Sequence, residues 1–256
     1  MYDMTVEEMR NALTEMKTVI VPIGVVEQHG YHLPLSVDIV CAEDVAKLVS
    51  AKTGCFVAPT VQYCFSGGML PGTINVSPQA YSLTLIDILR SLVVQGFKNI
   101  ILMLGHGGTE NTQATKDAAL MFQRLSPCVD GICVSVCGYA DFSATCMSAF
   151  KEGDFHAGKF ETSVMMHLRP EMVKMDRAKL DAPDFVKRMC TDPDAYLVQT
   201  KAVEHESVIP KQVQSPEMSV GVMGDWHGAS AEYGKVIVDE SIVGLCDLIE
   251  KMEARL

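Results

Sequence analysis

Short apolar runs alternate with stretches of helical period from the start of the chain to about Cys137. Thr5-Val-Glu-Glu8 has the form of a capping box and predicts a first helix to about Lys17. The run that begins at Thr18 is apolar and β-branched, as a buried strand is. Residues 39–52 have a helical period closed by Gly54, and Cys55 to Val61 reads as a second short strand. Ser77-Pro78 starts a helix that runs to about Gln95, with serine as cap and proline in the first turn. Asn99 to Leu104 is a third strand, a helix ending near Leu125 follows, and Val129 to Cys137 is a fourth strand. This alternation predicts a parallel sheet covered by helices on both faces. Such sheets bind ligands at the carboxyl ends of their strands. His29 and His106 fall there.

The second half is less regular. Residues 154–167 read as a loop opening a helix. Residues 170–200 are poor in apolar period and read as an insertion or lid-like excursion. Residues 201–222 have room for one or two strands, and a glycine-punctuated turn over 221–230 leads into a long terminal helix. Val236, Val238, Ile242, Leu245 and Leu248 on that helix suit packing on its own sheet, with self-association as the competing use. No repeat or linker interrupts the pattern, so one domain over residues 1–256 is expected.

Composition narrows the function. The chain has 256 residues, 48% of them hydrophobic, which is ample for one large α/β core. A net charge of −11 argues against nucleic acid or an acidic membrane as partner. No apolar run is long enough to span a bilayer, and the acidic, polar N-terminus does not look like a signal peptide. Nine cysteines, an odd number with no CxxC pair, read as small buried hydrophobes of a cytoplasmic protein rather than a disulfide framework.

Against this background residues 27–38 stand out. Glu27, His29, His32 and Asp38 follow directly on the first apolar strand. Glu27 and His29 are two apart, which puts both side chains on one side of an extended chain. Pro34 and Gly30 fit a bent loop that returns Asp38 to the same place. Carboxylate, imidazole and carboxylate make a ligand set for a divalent transition metal. His106, flanked by Gly105 and Gly107 at a strand end, is the natural partner, with a phosphate-binding loop as the alternative. The spacings of the dinucleotide and P-loop motifs are both absent. His156 and Glu161 are the candidate proton-transfer pair, although Glu161 near a helix start could serve only the helix dipole.

These stretches carry a family resemblance. Glu27-Gln-His-Gly-Tyr-His-Leu-Pro-Leu-Ser-Val-Asp38 resembles the signature of the creatininase (creatinine amidohydrolase) family. Pro71-Gly-Thr-Ile-Asn75, Gly105-His-Gly-Gly108, His156-Ala-Gly-Lys-Phe-Glu-Thr-Ser163 and Gly221-Val-Met-Gly-Asp225 follow in the family's order. The resemblance implies a three-layer α/β/α fold with a mostly parallel central sheet. It implies an amidohydrolase acting on carbon–nitrogen bonds other than peptide bonds, with one or two divalent ions. Zinc is the expected ion, with manganese or iron as alternatives. It also implies a small-molecule substrate and a homo-oligomer, frequently a hexamer.

Carried over residue by residue, Glu27, His29, Asp38 and His106 match metal ligands, Asp38 being the bridging one. His156 and Glu161 match the catalytic and substrate-site pair. Asn75, Gly107 and Asp154 stand at expected substrate-contacting positions. The chain departs from creatininase itself at Gly108, where that enzyme has a glutamate ligand, and at Gly107, where it has tyrosine. Asn75 replaces the family's usual serine. These departures make creatinine an unexpected substrate. They also leave a second ion with only His29 and Asp38, so Glu161 is the expected further ligand, with Glu110 as competitor. A hydrolase of lactones or cyclic sugar derivatives, or a non-catalytic small-molecule binder, are the alternative functions.

Overall fold

The computed structural model describes residues 1–127 and 129–256. The chain opens with α1 (Val6–Glu15), β1 (Thr18–Ile23), α2 (Val37–Thr53), β2 (Phe56–Val57) and α3 (Pro78–Gln95). β3 (Asn99–Leu104), α4 (Thr109–Leu125), β4 (Cys133–Gly138), α5 (Ala144–Lys151) and α6 (Lys159–Leu168) follow. Then come two 3₁₀ turns, α7 (Pro183–Thr191), β5 (Leu197–Thr200), β6 (Lys211–Gln214) and α8 (Ala231–Glu253). β1 to β4 form one parallel sheet in the order β2-β1-β3-β4. β5 and β6 are a separate antiparallel hairpin.

β1 and β3 are buried at every position, which is why both read as unbroken apolar runs. Alternate side chains enter opposite cores. Ile20, Ile101 and Met103 pack with residues of α2, α6 and α8. Val19, Val21, Ile100 and Leu102 pack with residues of α3 and α4. This is the expected three-layer α/β/α architecture.

Several expectations are corrected. α2 begins at Val37, so Asp38 lies in its first turn and not in a loop. Ser36 makes no side-chain cap, so the sequence carried no start signal there. The second strand shrinks to Phe56–Val57 plus an isolated bridge between Ile23 and Val61. Residues 170–200 are no loose excursion. Phe185 and Met189 of α7 bury against Met218 and Met223 in a small third core. On α8, Val238, Ile242 and Leu245 pack into the chain's own core, and Val236 alone of the five apolar positions is exposed.

One contact fixes the distance between layers at the site. A Cβ on Gly105 would lie 1.9 Å from the Asp38 carbonyl oxygen. Only glycine lets the start of α2 press this closely on the end of β3.

Candidate metal centre and active site

Four segments meet at the carboxyl ends of β1 and β3. Glu27 and His29 follow β1, Asp38 opens α2, His106 follows β3, and His156 and Glu161 flank the start of α6. Glu27, His29, Asp38, His156 and Glu161 are buried, and the His106 side chain is 11% exposed.

Their donor atoms form two overlapping sets. Glu27, Asp38 and His106 each place a donor within 4.8 Å of the other two, and so do His29, Asp38 and Glu161. Asp38 is common to both. His106 Nδ1 lies 2.9 Å from Glu27 Oε2 and 3.6 Å from Asp38 Oδ2. His29 Nε2 lies 3.3 Å from Asp38 Oδ1 and 3.7 Å from Glu161 Oε2. Yet Glu27 Oε2, Asp38 Oδ2 and His29 Nε2 are buried without a hydrogen-bond partner. Buried polar atoms are costly when unpaired. Donors that converge without bonding one another are arranged as for a cation between them. The residues therefore fit a divalent metal.

The surroundings orient these donors. His29 Nδ1 donates to the Glu27 carbonyl at 3.1 Å, which leaves Nε2 as the free nitrogen. Ser66 Oγ donates to Glu27 Oε1 at 2.6 Å. Burial alone would raise the Glu27 carboxyl; the imidazoles of His106, His156 and His29 override it and hold it well below the usual range. Burial would lower the two imidazoles, but neighbouring carboxylates dominate. Asp38 and Glu161 raise His29 to about 10, and Glu27 raises His106 to about 9.

His156 is pinned from two sides. Its backbone N–H and C=O pair with Met223 at 3.0 and 2.8 Å. Its Nε2 donates to the Gln28 carbonyl at 2.8 Å, so Nδ1 faces Glu161 Oε2 at 3.9 Å as the free base. The next residue, Ala157, has φ +54, a conformation that side chains other than glycine's rarely adopt. That turn points the Ala157 N–H at Glu161 Oε2, 2.5 Å away. His32, by contrast, is structural. Its Nε2 meets Thr162 Oγ1 at 2.9 Å, and burial and the charge of His29 lower it to about 4.

Two of the expected substrate contacts have other work. Asn75 does not line the cavity. Its Oδ1 accepts from the N–H groups of Ser66 and Gly67, and it thereby fixes the serine that holds Glu27. Asp154 is also absent from the cavity wall, and its Oδ2 accepts from Phe160 N at 2.7 Å. Gly107 does line the cavity. Glu110 lines it too, but is exposed and belongs to neither donor set. At Gly108 a Cβ would lie 2.4 Å from His106 Nε2, so a glutamate could stand there only if His106 moved.

Gln28, Ser66 and Asp181 escaped the sequence reading. Asp181 accepts from the N–H groups of Ser219, Val220 and Gly221, and the Gly221 carbonyl accepts from Gln28 Nε2. The partners are up to 193 residues apart, so no local pattern announces them.

Burial pushes the Asp154 carboxyl up to about 7, against the pull of the Phe160 N–H, and the charge of Glu161 adds to the rise. The folded state thus holds a proton that the unfolded chain has lost above about pH 4. Stability from this group is full below pH 4 and declines as pH climbs to 7. Asp154→Asn keeps the acceptor for Phe160 and removes the charge. Thermal melts of this variant should match the parent at pH 4 and be more stable at pH 8, by on the order of 2 kcal/mol. Equal melts at pH 8 would contradict the buried-charge account.

A model of the creatinine amidohydrolase (creatininase) family matches residues 2–249. The chain belongs to the creatininase family. It is 30% identical to a creatinine amidohydrolase of Pseudomonas putida over 250 residues, covering 90% of this chain and 87% of that one. It is 29% identical to a mycofactocin precursor peptide peptidase of Mycolicibacterium smegmatis, covering 92% and 85%. A solved manganese creatininase superposes with a TM-score of 0.77 at 25% identity, covering 98% of this chain and 96% of that one. As a creatininase-family chain, it carries the three-layer fold implied by its sequence motifs. Among the described residues no helix is long and apolar enough to cross a membrane.

Proposed function

We propose that this creatininase-family chain is a metal-dependent amidohydrolase that cleaves a carbon–nitrogen bond of a small molecule. The observation that supports it most strongly is the pair of three-donor sets that share Asp38, with buried donor atoms left unpaired. Glu27, Asp38 and His106 would hold one ion, and His29, Asp38 and Glu161 a second. Mixed nitrogen and oxygen donors suit zinc first and manganese next. A bound ion supplies a Lewis acid that polarises a carbonyl and acidifies water.

The chain's own residues do the rest. His29 and Glu27 hold their donors in place through the Glu27 carbonyl and the Ser66 hydroxyl. His156 Nδ1, the free nitrogen, takes a proton from the attacking water and returns it to the leaving nitrogen. Such positioned transfer contributes roughly 10²–10⁴-fold. The whole of residues 1–256 forms the catalytic unit in this reading. The free, mostly buried cysteines suit a reducing cytoplasm. Self-association, as the family resemblance implies, completes it.

Protein purified without chelator should contain one or two equivalents of metal and be monodisperse above monomer mass by light scattering. It should hydrolyse at least one member of a panel of cyclic amides, formamides, short peptides and lactones. Chelation should abolish turnover, and zinc or manganese should restore it. Full turnover after complete metal removal would overturn the assignment.

A further inference from the structure

The walls of the active-site cavity carry information about which amides enter. The cavity holds about 380 Å³. Four of its lining rings form one continuous band. Tyr139 stacks on Phe160 at 6.1 Å, Phe160 meets Phe150 edge-on at 5.5 Å, and Phe150 stacks on Phe155 at 6.4 Å. Tyr139 is 4% exposed, and its Oη has no hydrogen-bond partner. A dry, unpaired hydroxyl in a cavity wall is a cost that a ligand acceptor would relieve. The band is shaped for a flat apolar group, and the hydroxyl for one polar atom on it.

Charge supplies the second half. Apart from the groups already assigned to metal and proton, the charged lining residues are Glu110, Asp141 and Asp194. All three are exposed, and neither lysine nor arginine lines the cavity. A substrate carboxylate or phosphate away from the reacting carbonyl would meet three carboxylates and no cation. An ammonium or amidinium there would meet a complementary field, and ring faces that attract cations.

We propose that the site selects amides that join a flat apolar group to a positively charged amine or amidinium and carry no free anionic group. The amide part rests on the function proposed above; the charge selection rests on the cavity wall alone. The aromatic band receives the apolar group beside the metal donors. The cation sits outward, between the rings and the three carboxylates.

Calorimetric titration of the metal-loaded protein with three matched benzamides tests this. They differ only at the para position: aminomethyl (cationic), methyl (neutral) and sulfonate (anionic, and a poor ligand for a divalent ion). The cation should bind about 3–10-fold more tightly than the neutral compound, as several partly exposed charges permit. The anion should bind more weakly than the neutral compound. The gap should shrink at high salt. The double variant Glu110→Gln, Asp194→Asn should bring the cation to the neutral level and leave the neutral compound unchanged. An anion bound as tightly as the cation, an order that survives in the double variant, or no binding by any of the three would each overturn the proposal. If the order holds but no amide is hydrolysed, the amidohydrolase reading falls and the charge selection stands. Hydrolysis without the order gives the reverse.

Discussion

Asp38→Ala protein will fold and retain no tightly bound metal at either position. Asp38 is the one residue common to both donor sets, so its loss leaves each with two protein donors. Two are too few for a zinc-like ion, which takes three or four. The fold should survive because the side chain forms no hydrogen bond with the rest of the chain, and Asp38 Oδ2 is unpaired. What α2 loses is one acidic residue in its first turn, worth about 0.3–1 kcal/mol. Elemental analysis after zinc reconstitution and dialysis reads metal content, and a thermal melt reads the fold. Turnover should fall by at least roughly 10³-fold, more than the loss of a single proton carrier. Two equivalents of metal in a folded Asp38→Ala protein would end the shared-ligand assignment.

Glu161→Gln will separate two roles that the geometry puts on one carboxylate. Glu161 Oε2 is 3.7 Å from His29 Nε2, where a ligand belongs, and 3.9 Å from His156 Nδ1, where a proton partner belongs. The amide of glutamine can still accept from the Ala157 N–H, so the turn at the start of α6 should persist. It no longer offers an anion to a metal. If Glu161 ligates, the metal-to-protein ratio should drop from about two to about one, because Glu27, Asp38 and His106 are untouched. Turnover should fall roughly 10²–10⁴-fold. A ratio that stays at two while turnover falls would remove Glu161 from the ligand shell and leave it as a proton partner.

Much of the fold was legible because the central strands are buried on both faces. β1 and β3 have no polar side to disguise them, and α3 carries both a serine cap with proline behind it and a closing glycine. The start of α2 was hidden because Ser36 does not cap it. α5 is only eight residues long, and its signal was the Ser143 side chain that accepts from Cys146 N. The hairpin of β5 and β6 is exposed along nearly its whole length, so it lacks the alternation that marks a half-buried strand. The metal donors could be read because four of the six sit in two short motifs. The positioning groups could not. Ser66 reaches Glu27 across 39 residues and Gln28 reaches Gly221 across 193. Asp154 misled because it stands beside His156 in sequence, while its carboxylate bonds the Phe160 N–H at the start of α6.

Gly105 binds nothing, yet it works as the gauge of the centre. The Asp38 carbonyl rests where a Cβ of residue 105 would be, and residue 106 is the next ligand. The gap between Asp38 and His106 is therefore set by the missing methyl group. Any larger residue would drive α2 and β3 apart and widen that gap, shifting the preference toward a larger ion before activity was lost outright. Ion choice is thus written in part into a position with no side chain to offer, and genetic drift there would change the enzyme's mineral requirement without touching a ligand.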